Sequence, residues 1–307
     1  MNLLKDITSF LKSAKKPLVV LLGPTASGKT SLSFKIAHHI DGEIISTDSR
    51  QIYRGLEIGS DIIAPEDQEG VPHHMLAIAE PDEPVTLTDY RKMALESIDK
   101  IYENGNIPML VGGTGLYISS IIENYELEGC PPDKKLRKQL EEEVKEHGPE
   151  YIHNKLKKLD PEAAKDIHPN NIRYVIRAIE INLTTGKNKK STKKGSDFDL
   201  FMIGIDWPRE QLYKRVGQRV EIQVKRGLVD EVKALVEKNY APDLPAMSSL
   251  GAKEIVPFIK GEMELEECLE ILRRSTRKYA KRQMTWFRRY DSVKWLSPEE
   301  LEDIVNS

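Results

Sequence analysis

Gly23, Pro24, Thr25, Ala26, Ser27, Gly28, Lys29 and Thr30 stand in the order of a phosphate-binding loop: two glycines five apart, then a lysine and a hydroxyl. The chemistry of such a loop is an anion grip. Glycines let successive backbone N–H groups turn inward toward phosphate oxygens, and the N-terminus of the following helix adds partial positive charge. Lys29 supplies a cation for a terminal phosphate, and the Thr30 hydroxyl is placed to ligate Mg²⁺.

A phosphate loop does not name a reaction. A nucleotide hydrolase or kinase wants a carboxylate at the end of a further strand. The apolar run ending Met109-Leu-Val-Gly-Gly-Thr-Gly-Leu-Tyr117 offers none, whereas Ile44-Ile-Ser-Thr-Asp48 does. Asp48 is thus a metal ligand, a base for an acceptor, or the N-cap of a helix before Tyr53. Gly112-Gly113-Thr114-Gly115 reads as a tight turn or as a close approach to the backbone. Thr114 there either caps a helix or touches substrate.

Arg215 and Arg219 are one helical turn apart. They either clamp a pyrophosphate or pair at the surface with Glu210 or Glu221. Residues 273–289 hold eight cations and no acid, with Tyr279, Trp286 and Phe287 interleaved. At helical spacing, Arg273, Arg277, Lys281 and Arg288 form one stripe, and Arg274, Lys278, Arg282 and Arg289 form its neighbour. So dense a positive face in a chain of net charge -3 points to a phosphate backbone rather than to plain solvation. His73 and His74 are adjacent and cannot face one way on a strand, which argues against a two-histidine metal site.

The elements that position these residues follow from the hydropathy. Short apolar runs at 17–22, 42–46, 106–111 and 200–205 read as buried parallel strands, and Ser292–Leu296 as a last one. Helical spacing separates them at 31–40 and 87–103, with Thr86 or Thr88 as cap. From Cys130-Pro131-Pro132 the pattern turns helical to about Leu183. A basic loop with five lysines follows, Gly186 to Gly195. The expectation is an α/β fold with a P-loop-type parallel sheet flanked by helices, built from 1–124 and 198–307, with a helical insertion domain at 125–197.

The totals bound the rest. A chain of 307 residues has room for a large core. Its two cysteines, Cys130 and Cys268, suit neither a disulfide framework nor a zinc site, and fit a reducing, cytoplasmic setting. The first 17 residues read as a short helix rather than a signal peptide, and no run suits a membrane span.

Taken in order, these segments resemble the tRNA dimethylallyltransferases. The matching stretches are 23–30, 42–53, Val71-Pro-His-His74, 110–117, Ile167-His-Pro-Asn-Asn171 with Arg177, Gly227-Leu-Val-Asp-Glu-Val232 and Lys281-Arg-Gln-Met-Thr-Trp-Phe-Arg288. The resemblance spans about residues 17 to 296. It implies transfer of a dimethylallyl group from dimethylallyl pyrophosphate to N6 of the adenosine immediately 3′ of the anticodon (tRNA position 37), with Mg²⁺ present and pyrophosphate released. On it, Lys29, Thr30 and Arg219 handle the pyrophosphate and Asp48 is the general base. It assigns tRNA contacts to Asp48, Ser49, Arg50, Gln51, Thr114, Arg137, Arg173, Arg177, Ser248, Gly251, Lys253, Lys281, Arg282, Gln283 and Arg288. The insertion would clasp the anticodon stem-loop, and the enzyme would act as a monomer.

Three segments depart from the family pattern: Ser60-Asp61-Ile62 replaces Thr-Ala-Lys, Ala252 replaces a tyrosine, and Val220-Glu-Ile-Gln223 replaces Val-Asp-x-Met. The rival readings are a P-loop kinase of a small metabolite, a prenyltransferase acting on free adenine nucleotides, and an RNA-binding protein that uses nucleotide as a switch.

Overall fold

The structure is a computed structural model and describes residues 3–125, 133–186 and 195–306. It divides into two compact units, Met1–Asn124 with Gly195–Ser307, and Tyr125–Lys194. The Cys130-Pro131-Pro132 stretch and the lysines of the basic loop lie outside the described residues.

The larger unit is organised on β1 (Pro17–Leu22). This strand is all apolar because both its faces are covered. Leu18, Val20 and Leu22 join one core cluster, and Val19 and Leu21 join the other across the sheet. Burial of each such side chain contributes roughly 1.5–3 kcal/mol. The partners are β2 (Gly42–Ser46), β3 (His73–His74), β4 (Ile107–Gly112), β5 (Asp199–Ile205) and β6 (Lys294–Leu296). All pairings are parallel, in the order β3-β2-β4-β1-β5-β6. The two-residue β3 escaped the hydropathy reading, since a pair of histidines carries no apolar signal. His74 bonds Glu43 at 2.6 Å, while His73 bonds the Val71 carbonyl at 2.8 Å.

Helices cover both faces: α1 (Leu3–Ser13), α2 (Lys29–Ile40), α3 (Leu87–Glu103) and α4 (Gly115–Ile122) in the first half. Thr86 caps α3 in a reciprocal box with Asp89. The smaller unit holds α5 (Lys134–His147), α6 (Pro149–Leu159), α7 (Pro161–Asp166) and α8 (Ile172–Thr185) around Leu140, Ile152, Leu156 and Val175. Within it Glu180 is fully buried and accepts from Arg137 at 2.7 and 2.9 Å, and Arg177 pairs with it too. The larger unit resumes at Gly195, three residues before the boundary read from hydropathy. Asp197 accepts from Asn124 at 2.7 Å there, and Phe198 packs on the core.

The chain then runs through α9 (Arg209–Lys225), α10 (Leu228–Glu237), α11 (Ala252–Ile259), α12 (Leu265–Phe287) and α13 (Pro298–Asn306). No helix among the described residues is long and apolar enough to cross a membrane.

Candidate active site

The loops after β1, β2 and β4 meet at the C-terminal edge of the sheet, the usual ligand edge of open parallel sheets. The phosphate loop turns through left-handed Ala26 (φ 62°) and Gly28 (φ 93°) into α2. Four of its carbonyls are tied down. Lys29 Nζ donates to Gly23 and Pro24, Arg215 Nε to Ala26 at 2.7 Å, and Trp207 Nε1 to Ser27 at 2.9 Å. Arg215 also stacks over Trp207, 4.3 Å from the ring. Two of the loop's amides are engaged within the protein, that of Thr25 with Gln283 and that of Ser27 with the Pro24 carbonyl. Burial brings the Lys29 amine down to about 8, against the pull of Asp48 and Asp61, with the neighbouring Arg219 charge acting in the same sense as burial.

Arg219 donates to the Thr25 hydroxyl and pairs with Asp61 at 3.1 Å. It does not engage Glu210 or Glu221 in any described ion pair, so the surface-pair reading falls. Asp61 also meets Arg226 at 3.4 Å. The loop carrying Asp61 is clamped from three sides. Gln223 donates to the carbonyls of Ile58 and Gly59, Glu231 accepts from the amides of the same two residues, and Gln51 donates to the Ser60 and Asp61 carbonyls. Burial pushes the Glu231 carboxyl up, and these amide bonds only partly offset it. Two of the departures from the family pattern, Asp61 and Gln223, therefore meet in one substructure.

Asp48 caps a turn, not a helix: its Oδ1 accepts from the Arg50 amide at 2.8 Å, two residues on. The Asp48 amide donates to Ser46 Oγ at 3.2 Å, and Ser46 Oγ in turn bonds Gln51 at 2.7 Å. Arg50 reaches the Pro245 carbonyl. Thr114 heads α4 without capping it; its hydroxyl accepts from the Ser49 amide at 3.0 Å and bonds Tyr279. Burial and the nearby Asp48 charge push the Tyr279 phenol up to about 12.

The glycines from the end of β4 to the start of α4 answer to close approach. A Cβ on Gly112 would lie 2.3 Å from Thr47 Oγ1, one on Gly113 would lie 2.1 Å from Gln283 Nε2, and one on Gly115 would lie 2.3 Å from Trp286 Cδ1. The strand ends thus lock together, Thr47 and Asp48 on one side and Thr114 on the other.

Two cavities result. The larger, about 360 Å³, holds the phosphate loop with Asp48, Asp61 and His73. The smaller, about 190 Å³, holds Ser49, Arg50, Ser248, Lys253, Tyr279 and Arg282. Thr25, Asp48, Ser60 and Arg219 line both. Two polar rooms therefore share a wall containing one carboxylate, one guanidinium and one residue of the phosphate loop, Thr25.

A family model described as IPP transferase matches residues 51–290. The chain belongs to the IPP transferase family. It is 46% identical over 290 residues to the tRNA dimethylallyltransferase of Acetivibrio thermocellus, covering 93% of each chain. Against that of Pelotomaculum thermopropionicum it is 44% identical, covering 95% of this chain and 94% of the other. Among solved structures, the full-length tRNA isopentenylpyrophosphate transferase of Bacillus halodurans shares 41% identity at a TM-score of 0.71, with 95% of each chain covered. A eukaryotic dimethylallyltransferase described as acting on tRNA shares 28% at 0.76, covering 92% of this chain and 74% of that one. As an IPP transferase the chain is a tRNA-modifying prenyltransferase, which sets aside the kinase, the free-nucleotide prenyltransferase and the non-catalytic switch.

The residues expected to contact tRNA fall in several different settings. Asp48, Ser49, Arg50, Ser248, Lys253 and Arg282 line the smaller cavity, with Thr114 just behind through Ser49 and Tyr279, and Gln51 lines the larger. Gly251 is buried and its amide is spent on Glu254 at 3.0 Å. Gln283 is turned inward, 5% exposed. Lys281 and Arg288 are exposed on or beside α12, Arg288 beside Asp206 at 3.2 Å. Arg137, Arg173 and Arg177 belong to the smaller unit, where Arg173 is exposed and the other two serve Glu180.

On α12 one expected stripe divides. Arg273 is turned onto Glu266 and Glu270 of its own helix, and Arg277 lies over the Tyr213 ring. Arg274, Lys278, Lys281 and Arg282 stay exposed. Asp61, Trp207 and Glu231 went unnoticed as site residues. Trp207 had a signal, since it follows a strand at the ligand edge. Asp61 and Glu231 had none, because their partners are distant in sequence.

Proposed function

We propose that the larger cavity holds dimethylallyl pyrophosphate by its diphosphate, and that the smaller admits the adenine next to the anticodon, with Asp48 between them. The observation that carries this is the shared wall, Thr25, Asp48, Ser60 and Arg219. A donor on one side and an acceptor on the other would meet only there.

As the allylic C–O bond breaks, its electron pair leaves on the diphosphate. Loop amides, Lys29 and Arg219 stabilise that growing charge, more so than in water because the site is half-buried. The adenine N6 lone pair forms the new C–N bond, and its proton passes to Asp48. The adenine leaves its stack to reach the room. Arg50, Lys253 and Arg282 receive the neighbouring backbone phosphates. Thr30 and Asp61 offer oxygen donors to the larger cavity, the kind that suits Mg²⁺. Held by these residues, Mg²⁺ would supply positive charge to offset the charge that grows on the leaving group. Within this reading the smaller unit and the exposed cations of α12 hold the anticodon stem-loop, and one chain, working as a monomer in the cytoplasm, completes the site.

Incubation with labelled dimethylallyl pyrophosphate, Mg²⁺ and unmodified tRNA, with ATP as a competing donor, tests the reading. Label should appear on the adenosine beside the anticodon. Phosphate transfer from ATP, with no prenyl transfer, would overturn it.

A further inference from the structure

Gln283 sits on the inner face of α12 at a place where two loops of the site come together. Its Oε1 accepts from the Thr25 amide at 2.9 Å and its Nε2 donates to the Gly113 carbonyl at 2.9 Å. The amide orientation is forced, because a backbone N–H only donates and a carbonyl only accepts. Thr25 is in turn held from α9 by Arg219. Tyr279 and Trp286 flank Gln283 at helical spacing and touch the same turn, Tyr279 through Thr114 and Trp286 through Ser119 and Gly115.

We infer that Gln283 is a positioning residue for the donor side: it sets the distance between the phosphate loop and the turn after β4, and does not contact RNA. This rests on the donor reading above. Only glutamine meets the geometry. Glutamate accepts but does not donate when ionised, methionine does neither, and asparagine is one methylene short. Since Gly113 has no room for a Cβ, the turn is built around that amide. The outer face of the same helix carries Arg274, Lys278 and Arg282, so one rigid element would serve donor and RNA by opposite sides.

Gln283→Met tests the assignment in the full chain. Its dissociation constant for pyrophosphate with Mg²⁺ should rise about tenfold. The KM for dimethylallyl pyrophosphate should rise in parallel, with kcat at saturating donor and affinity for an anticodon stem-loop RNA nearly unchanged. Unchanged pyrophosphate affinity with weakened RNA binding would overturn the assignment, as would equal losses of both. Should the methionine variant not fold, Gln283→Glu decides. Its pyrophosphate affinity, taken relative to the unaltered chain at each pH, should recover as the carboxyl is protonated and regains a donor. A ratio flat with pH would overturn the assignment. Failure of the unaltered chain to bind pyrophosphate would instead overturn the donor reading itself.

Discussion

Asp48 draws its bond from the Arg50 amide and lines both cavities, while Lys29 stands among the carbonyls of its own loop. The two residues should separate cleanly in kinetics. Asp48→Asn removes the proton acceptor and keeps the shape, so kcat should fall about 10²–10⁴-fold while tRNA affinity holds; equal losses in both would count against a base. Lys29 gives a pH signature. Its amine is brought to about 8, and a bound diphosphate favours the charged form. Donor affinity is therefore full below about pH 8 and declines above it as the proton is lost. A KM that falls from pH 8 to 9.5 would contradict that order. Both residues were legible in the sequence, Lys29 from the spacing of the phosphate loop and Asp48 because it follows closely on a short apolar run. Asp61 was not, for its meaning comes from Arg219, more than a hundred residues away.

At the scale of elements, the parallel strands were readable because burial on both faces leaves an unbroken apolar run. What the runs do not carry is contact between segments distant in sequence: Gln283 and Arg137 entered only as RNA contacts implied by the resemblance, and their bonds to Thr25, Gly113 and Glu180 had no signal. In the smaller unit, Arg137 and Arg177 join α5 and α8 to the buried Glu180. Burial pushes the Glu180 carboxyl up, but the bonds from the two arginines and the Asp133 amide outweigh it and leave it below the ordinary range. A depressed folded value gives stability that is present above the unfolded pKa of about 4.3 and is lost as pH falls through the folded one. Glu180→Gln should therefore loosen α8 by about 3 kcal/mol at pH 7, since both arginines keep some water contact. Amide exchange along α8 would show it. Protection equal to that of the unaltered chain at neutral pH would mean the pair contributes little.

For the whole molecule, charge is distributed unevenly: a chain of net charge -3 presents Arg274, Lys278, Lys281 and Arg282 together on one exposed helix face. Replacing Arg274, Lys278 and Arg282 by alanine should weaken tRNA binding and reduce its log–log salt slope by about two, at roughly 0.7–0.9 per phosphate contact. A slope that stays the same would mark the face as solvated only. The half-buried Arg273, engaged with Glu266 and Glu270, should contribute nothing to that slope.

The hydrogen bond between Asn124 and Asp197 has a consequence for how such a chain is assembled. The strand of polypeptide that departs from the core and the one that returns are within reach of each other, so the detour between them closes a circuit the core does not need. Splicing 124 to 197 through a few glycines and serines should leave a shorter protein that still melts cooperatively and still binds pyrophosphate, yet no longer holds an anticodon stem-loop. If the trimmed chain fails to fold, the detour is a structural member of the core and not an addition to it.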